Sequence, residues 1–308
     1  MPTSTSTSTP KSTSTPLKFM KVEGLGNDFI MVDCPDVPHS DSIGAHAIAL
    51  CDRRLGIGAD GVICVLPASR PGADFRMRIF NADGSEAEMC GNGVRCFGEY
   101  LSATGRFRDK FVIDTMAGLI EVEFLGADGR GGYYRVNMGL PRFAPDDVPV
   151  VPINSGDGDF LMRDVAVLDK TFKLTAVSMG NPHAVVFAEE LDDGLVLTYG
   201  PAIQRHTFFP KSVNVEFVRI ISSDEVRMRV YERGCGETQA CGTGACAAVV
   251  SGVAGGLLGN DVVAHLPGGE LRISWDGDRA HPVYMSGPAR AVFRGEAMGG
   301  AGAENERF

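Results

Sequence analysis

Apolar and polar positions alternate quickly along this chain. FIMVD at 29–33, VICVL at 62–66, FRMRIF at 75–80, AVVF at 184–187, VNVEFVRI at 213–220 and VRMRVY at 226–231 are short runs rich in β-branched and aromatic residues. Gly, Pro, Asn and Asp break the chain between them, and runs of this length with such breaks predict strands. Two longer stretches, CGNGVRCFGEYL from Cys90 and CGTGACAAVVSGVAGGLL from Cys241, are apolar nearly all round. A helix of that kind belongs inside a sheet rather than on a surface. A further helical stretch, AHAIALCDRRL, is expected over 45–55. The pattern is a β-rich α+β fold.

The hydrophobic pattern also repeats. Laid without gaps over VRMRVYERGCGETQACGTGA (226–245), FRMRIFNADGSEAEMCGNGV (75–94) matches at seven of twenty positions, with an offset of 151. Arg78/Arg229, Glu86/Glu237, Cys90/Cys241, Gly91/Gly242 and Gly93/Gly244 are among the identities. GNDFIMVD from Gly26 and GNPHAVVF from Gly180 recur in the same order at nearly the same offset. Two copies of one unit are therefore expected, joined near residue 140, each reading strand, loop, Cys-Gly-x-Gly, helix. The expected division is an N-terminal lobe over 17–140, completed by 284–296, and a C-terminal lobe over 141–283. Residues 1–16, MPTSTSTSTPKSTSTP, have no hydrophobic periodicity and are expected to be disordered, as is a Gly/Ala-rich tail over 297–308. A transit peptide is the weaker reading of the first segment, which lacks both acidic residues and Arg.

Composition narrows the function. A net charge of −10 without a Lys/Arg-dense run argues against nucleic acid or an anionic membrane as partner. No stretch approaches the ~20 apolar residues of a membrane span. A cytoplasmic protein acting on a small molecule is expected, and the sequence leaves room for a homodimer. Eight cysteines in 308 residues, with no C-x-x-C pair, are too dilute for a disulfide scaffold and read as reduced thiols. Neither they nor the six histidines show metal-ligand spacing, so no metal is expected.

Cys90 and Cys241 stand out because each opens a predicted helix. A helix start presents unpaired N–H groups and about half a positive charge, which favours thiolate over thiol and draws in carboxylates. The glycines that follow leave the amides open to close approach. Two such ends meeting at a cleft would hold one carboxylate with a sulfur on each side. That suits inversion of a stereocentre, in which a proton leaves one face and another arrives at the opposite face. Cys96 and Cys246, further along the helices, read as packing residues, and Cys235 adds a third thiol near the cleft.

GLGNDF at 24–29, GIGADG at 56–61, FNADGSEAEMCGNGVRC at 80–96, SMGNPH at 178–183, VN at 213–214, YERGCGETQACGTGAC at 231–246 and PGG at 267–269 together closely resemble the diaminopimelate epimerases. The resemblance runs from about Leu17 to Gly295. It implies two pseudo-symmetric lobes, each an eight-strand barrel-like sheet around a central helix. It also implies conversion of LL-diaminopimelate to the meso form without pyridoxal phosphate or another cofactor. By the resemblance Cys90 and Cys241 are the acid/base pair, with His183 and Glu232 as supporting catalytic residues. Gly91-Asn92 and Gly242-Thr243 would hold the reacting carboxylate, and Asn27, Asn81, Asn181, Asn214, Glu232 and Arg233 would grip the rest of the substrate. A glutamine found in the family at the position of Gly61 is missing, so Gly61 is left out of the site.

Plainer readings of the same residues exist. GIGADG satisfies G-x-G-x-x-G, but here a helix precedes it and a strand follows, the reverse of a dinucleotide site. Taken singly, the asparagines read as turn residues, His183 as a packed or capping histidine and Arg233 as a solvated charge. Glu86 and Glu237 are expected to cap the helices or bond loop amides. A proline- or hydroxyproline-type racemase, a phenazine-type isomerase of the same fold, and a two-cysteine redox protein are the remaining alternatives.

Overall fold

The structure is a computed structural model and describes residues 16–106, 108–151 and 158–298. The expected disorder of 1–15 and of 299–308 lies outside the described residues. The first unit contains β1 (Leu17–Gly24), β2 (Asn27–Asp33), α1 (Val37–Ala45), α2 (Ala47–Cys51), β3 (Gly61–Pro67), β4 (Phe75–Asn81), β5 (Glu86–Ala87), α3 (Gly91–Ala103), β6 (Lys110–Thr115), β7 (Gly118–Ala127) and β8 (Gly132–Asn137). The second contains β9 (Arg163–Val167), β10 (Lys170–Ser178), β11 (Pro182–Phe187), a π-helical turn (Leu195–Tyr199), α4 (Gly200–Gln204), β12 (Asn214–Ser222), β13 (Glu225–Glu232), β14 (Gly236–Thr238), α5 (Gly242–Ala254), β15 (Asp261–Leu266) and β16 (Gly269–Ser274). The last strand is β17 (Tyr284–Ala297). All six strand readings from sequence fall on β2, β3, β4, β11, β12 and β13.

The repeat in sequence is a repeat in strand pairing. In the first unit β2 runs parallel to β3, β3 antiparallel to β4, β4 parallel to β6 and β6 antiparallel to β7. In the second, β11–β12, β12–β13, β13–β15 and β15–β16 follow with the same orientations. Each parallel step from β4 to β6 and from β13 to β15 passes through a helix, α3 or α5. Those helices are buried on every side, α3 from Gly91 to Leu101 and α5 over most of its length, because each is wrapped by its own unit's strands.

β17 closes the arrangement. Its first residues pair with both β8 and β16, and the remainder runs along β1, with Leu17 opposite Ala297. The strands β1, β2, β3, β4, β6, β7, β8 and β17 thus form a closed eight-strand ring around α3. The strand reaches Ala297, the first residue of the expected tail.

Two expectations are corrected. In the stretch AHAIALCDRRL, Ala45 ends α1 and the helix α2 stops at Cys51, because the Asp52 carboxylate accepts the N–H groups of Arg54 at 2.7 Å and Leu55 at 2.8 Å and turns the chain out of the helix. Glu86 and Glu237 do not cap helices. Each forks onto the arginine eight residues earlier: Glu86 on Arg78 at 2.7 and 2.9 Å, Glu237 on Arg229 at 2.7 and 2.9 Å. A fork across two strands satisfies both carboxylate oxygens at once, which a loop amide cannot do. Among the described residues no helix is long and apolar enough to cross a membrane.

Candidate active site

Cys90 and Cys241 are the N-cap residues of α3 and α5. The Cys90 sulfur accepts the Gly93 N–H at 3.4 Å and faces Asn27 Oδ1 at 3.8 Å. The Cys241 sulfur lies 3.6 Å from Thr243 Oγ1. The two helix starts abut one side chain, Met285 of β17. A Cβ on Gly91 would come within 2.9 Å of Met285 Cε, and one on Gly242 within 3.0 Å of its Sδ and 3.7 Å of Asn92 Oδ1. Asn92 spans the units, donating from Nδ2 to Asn27 Oδ1 at 3.3 Å and to the Ala240 carbonyl, next to Cys241, at 3.4 Å.

Burial acts on both thiols. It pushes Cys90 above its ordinary value, opposed by the N–H groups of Gly93 and Asn92 and by the Arg95 charge. It pushes Cys241 well up, and the carboxylates of Glu232 and Glu216 add to it. The preference for thiolate expected from the helix ends is therefore outweighed by burial at both sulfurs.

The remaining candidates fall into three groups. Asn27 is oriented by Asp60, which accepts its Nδ2 at 2.7 Å and is held in turn by Arg53 at 2.7 Å. Asp28 beside it bonds Lys21 and Arg53, each at 2.7 Å; burial works to raise its carboxyl, but the two cations win and leave it at about 2. His183 is fully buried, with Nδ1 2.7 Å from Glu216 Oε1 and Nε2 2.9 Å from Asn181 Oδ1. Burial pushes the Glu216 carboxyl above its ordinary value, opposed by the His183 ring beside it. A Cβ on Gly244 would lie 2.8 Å from Glu216 Oε1, which puts this pair under the first turn of α5. Glu232, at the end of β13, accepts the Thr238 hydroxyl and faces Cys241. Asn214 accepts the Arg233 backbone N–H at 2.8 Å.

Asn81 and the Arg233 guanidinium do not bond to the cysteine cluster. Asn81 donates to Ser85 Oγ at 2.9 Å, opposite Gly61 at the end of β4, and Arg233 is exposed and reaches the Lys211 carbonyl at 3.3 Å. Cys235 is exposed in the loop before Cys241, with Asp83 of the other unit close enough to act on its charge. Sequence reasoning missed Asp60, Glu216 and Arg95. The available signals were an acidic residue inside GIGADG, another inside an apolar strand, and a cation in an otherwise apolar helix.

The family model for diaminopimelate epimerase matches residues 19–144 and 175–292. A diaminopimelate epimerase from Pelotomaculum thermopropionicum is 46% identical across 91% of this chain and 98% of its own. A chloroplastic one from Oryza sativa subsp. japonica is 46% identical across 92% of this chain and 80% of its own. Among solved structures, a hydroxyproline epimerase from Agrobacterium vitis covers 92% of each chain with a TM-score of 0.66 at 15% identity. A PhzF-family phenazine biosynthesis protein from Bacillus anthracis covers 92% of this chain and 99% of its own with a TM-score of 0.62 at 16% identity. At such identities the likeness is one of fold.

Proposed function

Because the chain belongs to the diaminopimelate epimerase family, we propose that Cys90 and Cys241 interconvert LL- and meso-diaminopimelate by working on opposite faces of one α-carbon, without a cofactor. The observation that carries this reading is the pair of thiols at the starts of two buried helices that meet over Met285.

The substrate's α-carboxylate enters between Gly91-Asn92 and Gly242-Thr243. There the N–H groups of both helix starts bond its oxygens, and they bond them more strongly as enolate-like charge develops. One sulfur, as thiolate, takes the α-proton. The other, as thiol, delivers its own proton to the opposite face. One proton leaves the carbon and one arrives, and the two sulfurs exchange protonation states. Expulsion of water as the cleft closes strengthens every charge interaction inside it. Glu232 stands against Cys241, and the His183–Glu216 pair supports the same sulfur from beneath α5. Asn27, Asn81, Asn181, Asn214 and Arg233 serve the distal amino acid end. The fork of Arg233 fits a carboxylate, and a swing away from the Lys211 carbonyl frees it.

The lobes divide near residue 140, with β17 shared between them. A homodimer and a cytoplasmic setting complete the reading, although the rice relative is chloroplastic. The proposal is tested by supplying purified protein separately with LL- and meso-diaminopimelate, with no added pyridoxal phosphate, and separating the stereoisomers chromatographically. Either isomer should give the same final mixture. Recovery of each isomer unchanged would refute the assignment.

A further inference from the structure

Arg95 is among the largest fully buried side chains in the protein, and none of its hydrogen-bond partners among the described residues is a carboxylate. Its Nε donates to the Pro288 carbonyl at 3.2 Å, Nη1 to the Gly91 carbonyl at 3.4 Å and to Met285 Sδ at 3.6 Å, and Nη2 to Asn92 Oδ1 at 2.9 Å. The sheet makes room for it with glycines. A Cβ on Gly24 would stand 3.5 Å from Nη2 and one on Gly287 3.2 Å from Nε. The carboxylates nearby are committed elsewhere. Glu99, one turn along α3, accepts from the Gly132 N–H and the Tyr134 hydroxyl at 2.9 Å each and from the Ala291 N–H at 3.4 Å. Glu23 pairs with Arg290 at 3.0 Å.

A buried charge without a counter-ion is costly, so such a cation is expected where an anion comes to meet it. The nearest place for one is the start of the same helix, at Cys90. The second unit is built the other way. The position aligned with Arg95 is Cys246. Where Ile63 underlies Gly93, with Cδ1 3.0 Å from a Cβ placed there, Glu216 underlies Gly244. A cation thus backs α3, while the carboxyl groups of Glu216 and Glu232 back α5.

We propose that Arg95 is a positioning residue for the two-cysteine reaction: it fixes Asn92 with its amide nitrogen toward the cleft and makes the α3 end the anion-holding half, so that Cys90 is the more readily ionised of the two sulfurs. The inference rests on the function proposed above. The groups facing Arg95 and Cys90 agree with it. Beyond Arg95 itself they are the thiols Cys96 and Cys246, the phenol Tyr133 and the carboxylate Glu232, whereas Cys241 faces two carboxyl groups, Glu232 and Glu216, and no such cation acts on it among its main influences. By fixing Asn92 Oδ1, Arg95 also reaches the other unit through the Asn92 bond to the Ala240 carbonyl.

The test compares pH profiles of kcat/KM for wild type, Arg95→Met and Arg95→Lys. Loss of the cation should move the acidic limb about one pH unit or more toward alkali and lower the plateau about 100-fold. Arg95→Lys should return the limb to its wild-type position while leaving the plateau low, since an ammonium cannot fork between Asn92 and the carbonyls. A second measurement needs no variant: iodoacetamide alkylation of wild type across pH, read by peptide mass spectrometry. The midpoint for Cys90 should lie below that for Cys241. The reverse order, or an unshifted limb in an active Arg95→Met enzyme, would overturn the inference. If the wild type proved inactive on diaminopimelate, the function proposed above would fail, and the alkylation midpoints would still decide the polarity of the cleft.

Discussion

At the scale of single residues, two opposing forces meet on each catalytic sulfur. The helix start favours the thiolate, while burial favours the thiol and prevails for both Cys90 and Cys241. With both thiols pushed to ionise at higher pH, only a small fraction of the free enzyme carries the thiolate base at neutral pH. The acidic limb of kcat/KM should therefore still be climbing above pH 7, by up to tenfold per unit, and a profile flat from pH 6 to 8 would contradict this. Cys90→Ala and Cys241→Ala should each lower kcat by at least ~1,000-fold with an unchanged far-ultraviolet circular dichroism spectrum, because neither sulfur can serve both faces of the carbon. These two residues were legible in the sequence because Cys-Gly-x-Gly occurs twice in register. Glu216 and Arg95 were not, since a charge within an apolar run gives no sign of which buried group it faces.

At the scale of elements, the loops that carry the cysteines are held by contacts that leave no room for change. Gly268, in the turn before β16, donates its N–H to the Gln239 carbonyl at 2.8 Å, two residues from Cys241. A Cβ there would lie 2.2 Å from the Leu25 carbonyl oxygen of the first unit. Gly268→Ala must force these backbones apart, at a cost of about 1–3 kcal/mol. The expected result is a Tm lower by about 2–10 °C together with a reduced kcat/KM, both within reach of calorimetry and a coupled assay. Unchanged values would mean that the PGG turn does not hold the loops. The strands were readable because their apolar runs are short and bounded by turn residues. The overrun of α2 was not, because it ends on the Asp52 side chain rather than on Gly or Pro. The matched Arg78–Glu86 and Arg229–Glu237 forks explain why both glutamates recur: each ties the short strand ahead of a cysteine, β5 or β14, to its neighbour.

At the scale of the whole molecule, the duplication was visible as an offset of 151 residues, and the strand pairing repeats with it. The expectation that 284–296 completes the first lobe carried no register, because Leu17 and Ala297 pair across nearly the whole chain without any local pattern linking them. The two-unit arrangement also predicts a failure mode. Mild oxidation of substrate-free protein should join Cys90 to Cys241, giving an inactive but folded form that a thiol reductant restores; non-reduced peptide maps would identify the bridge. A dominant bridge from Cys235 would count against the opposed geometry. The central claim, that two sulfurs serve two faces, is tested most directly by following early turnover of LL-diaminopimelate in deuterated water by mass spectrometry of the separated isomers. The account predicts one deuteron at the inverted carbon of each meso product, with recovered LL substrate still unlabelled. Label appearing equally in recovered substrate and product would mean that a single base handles both faces.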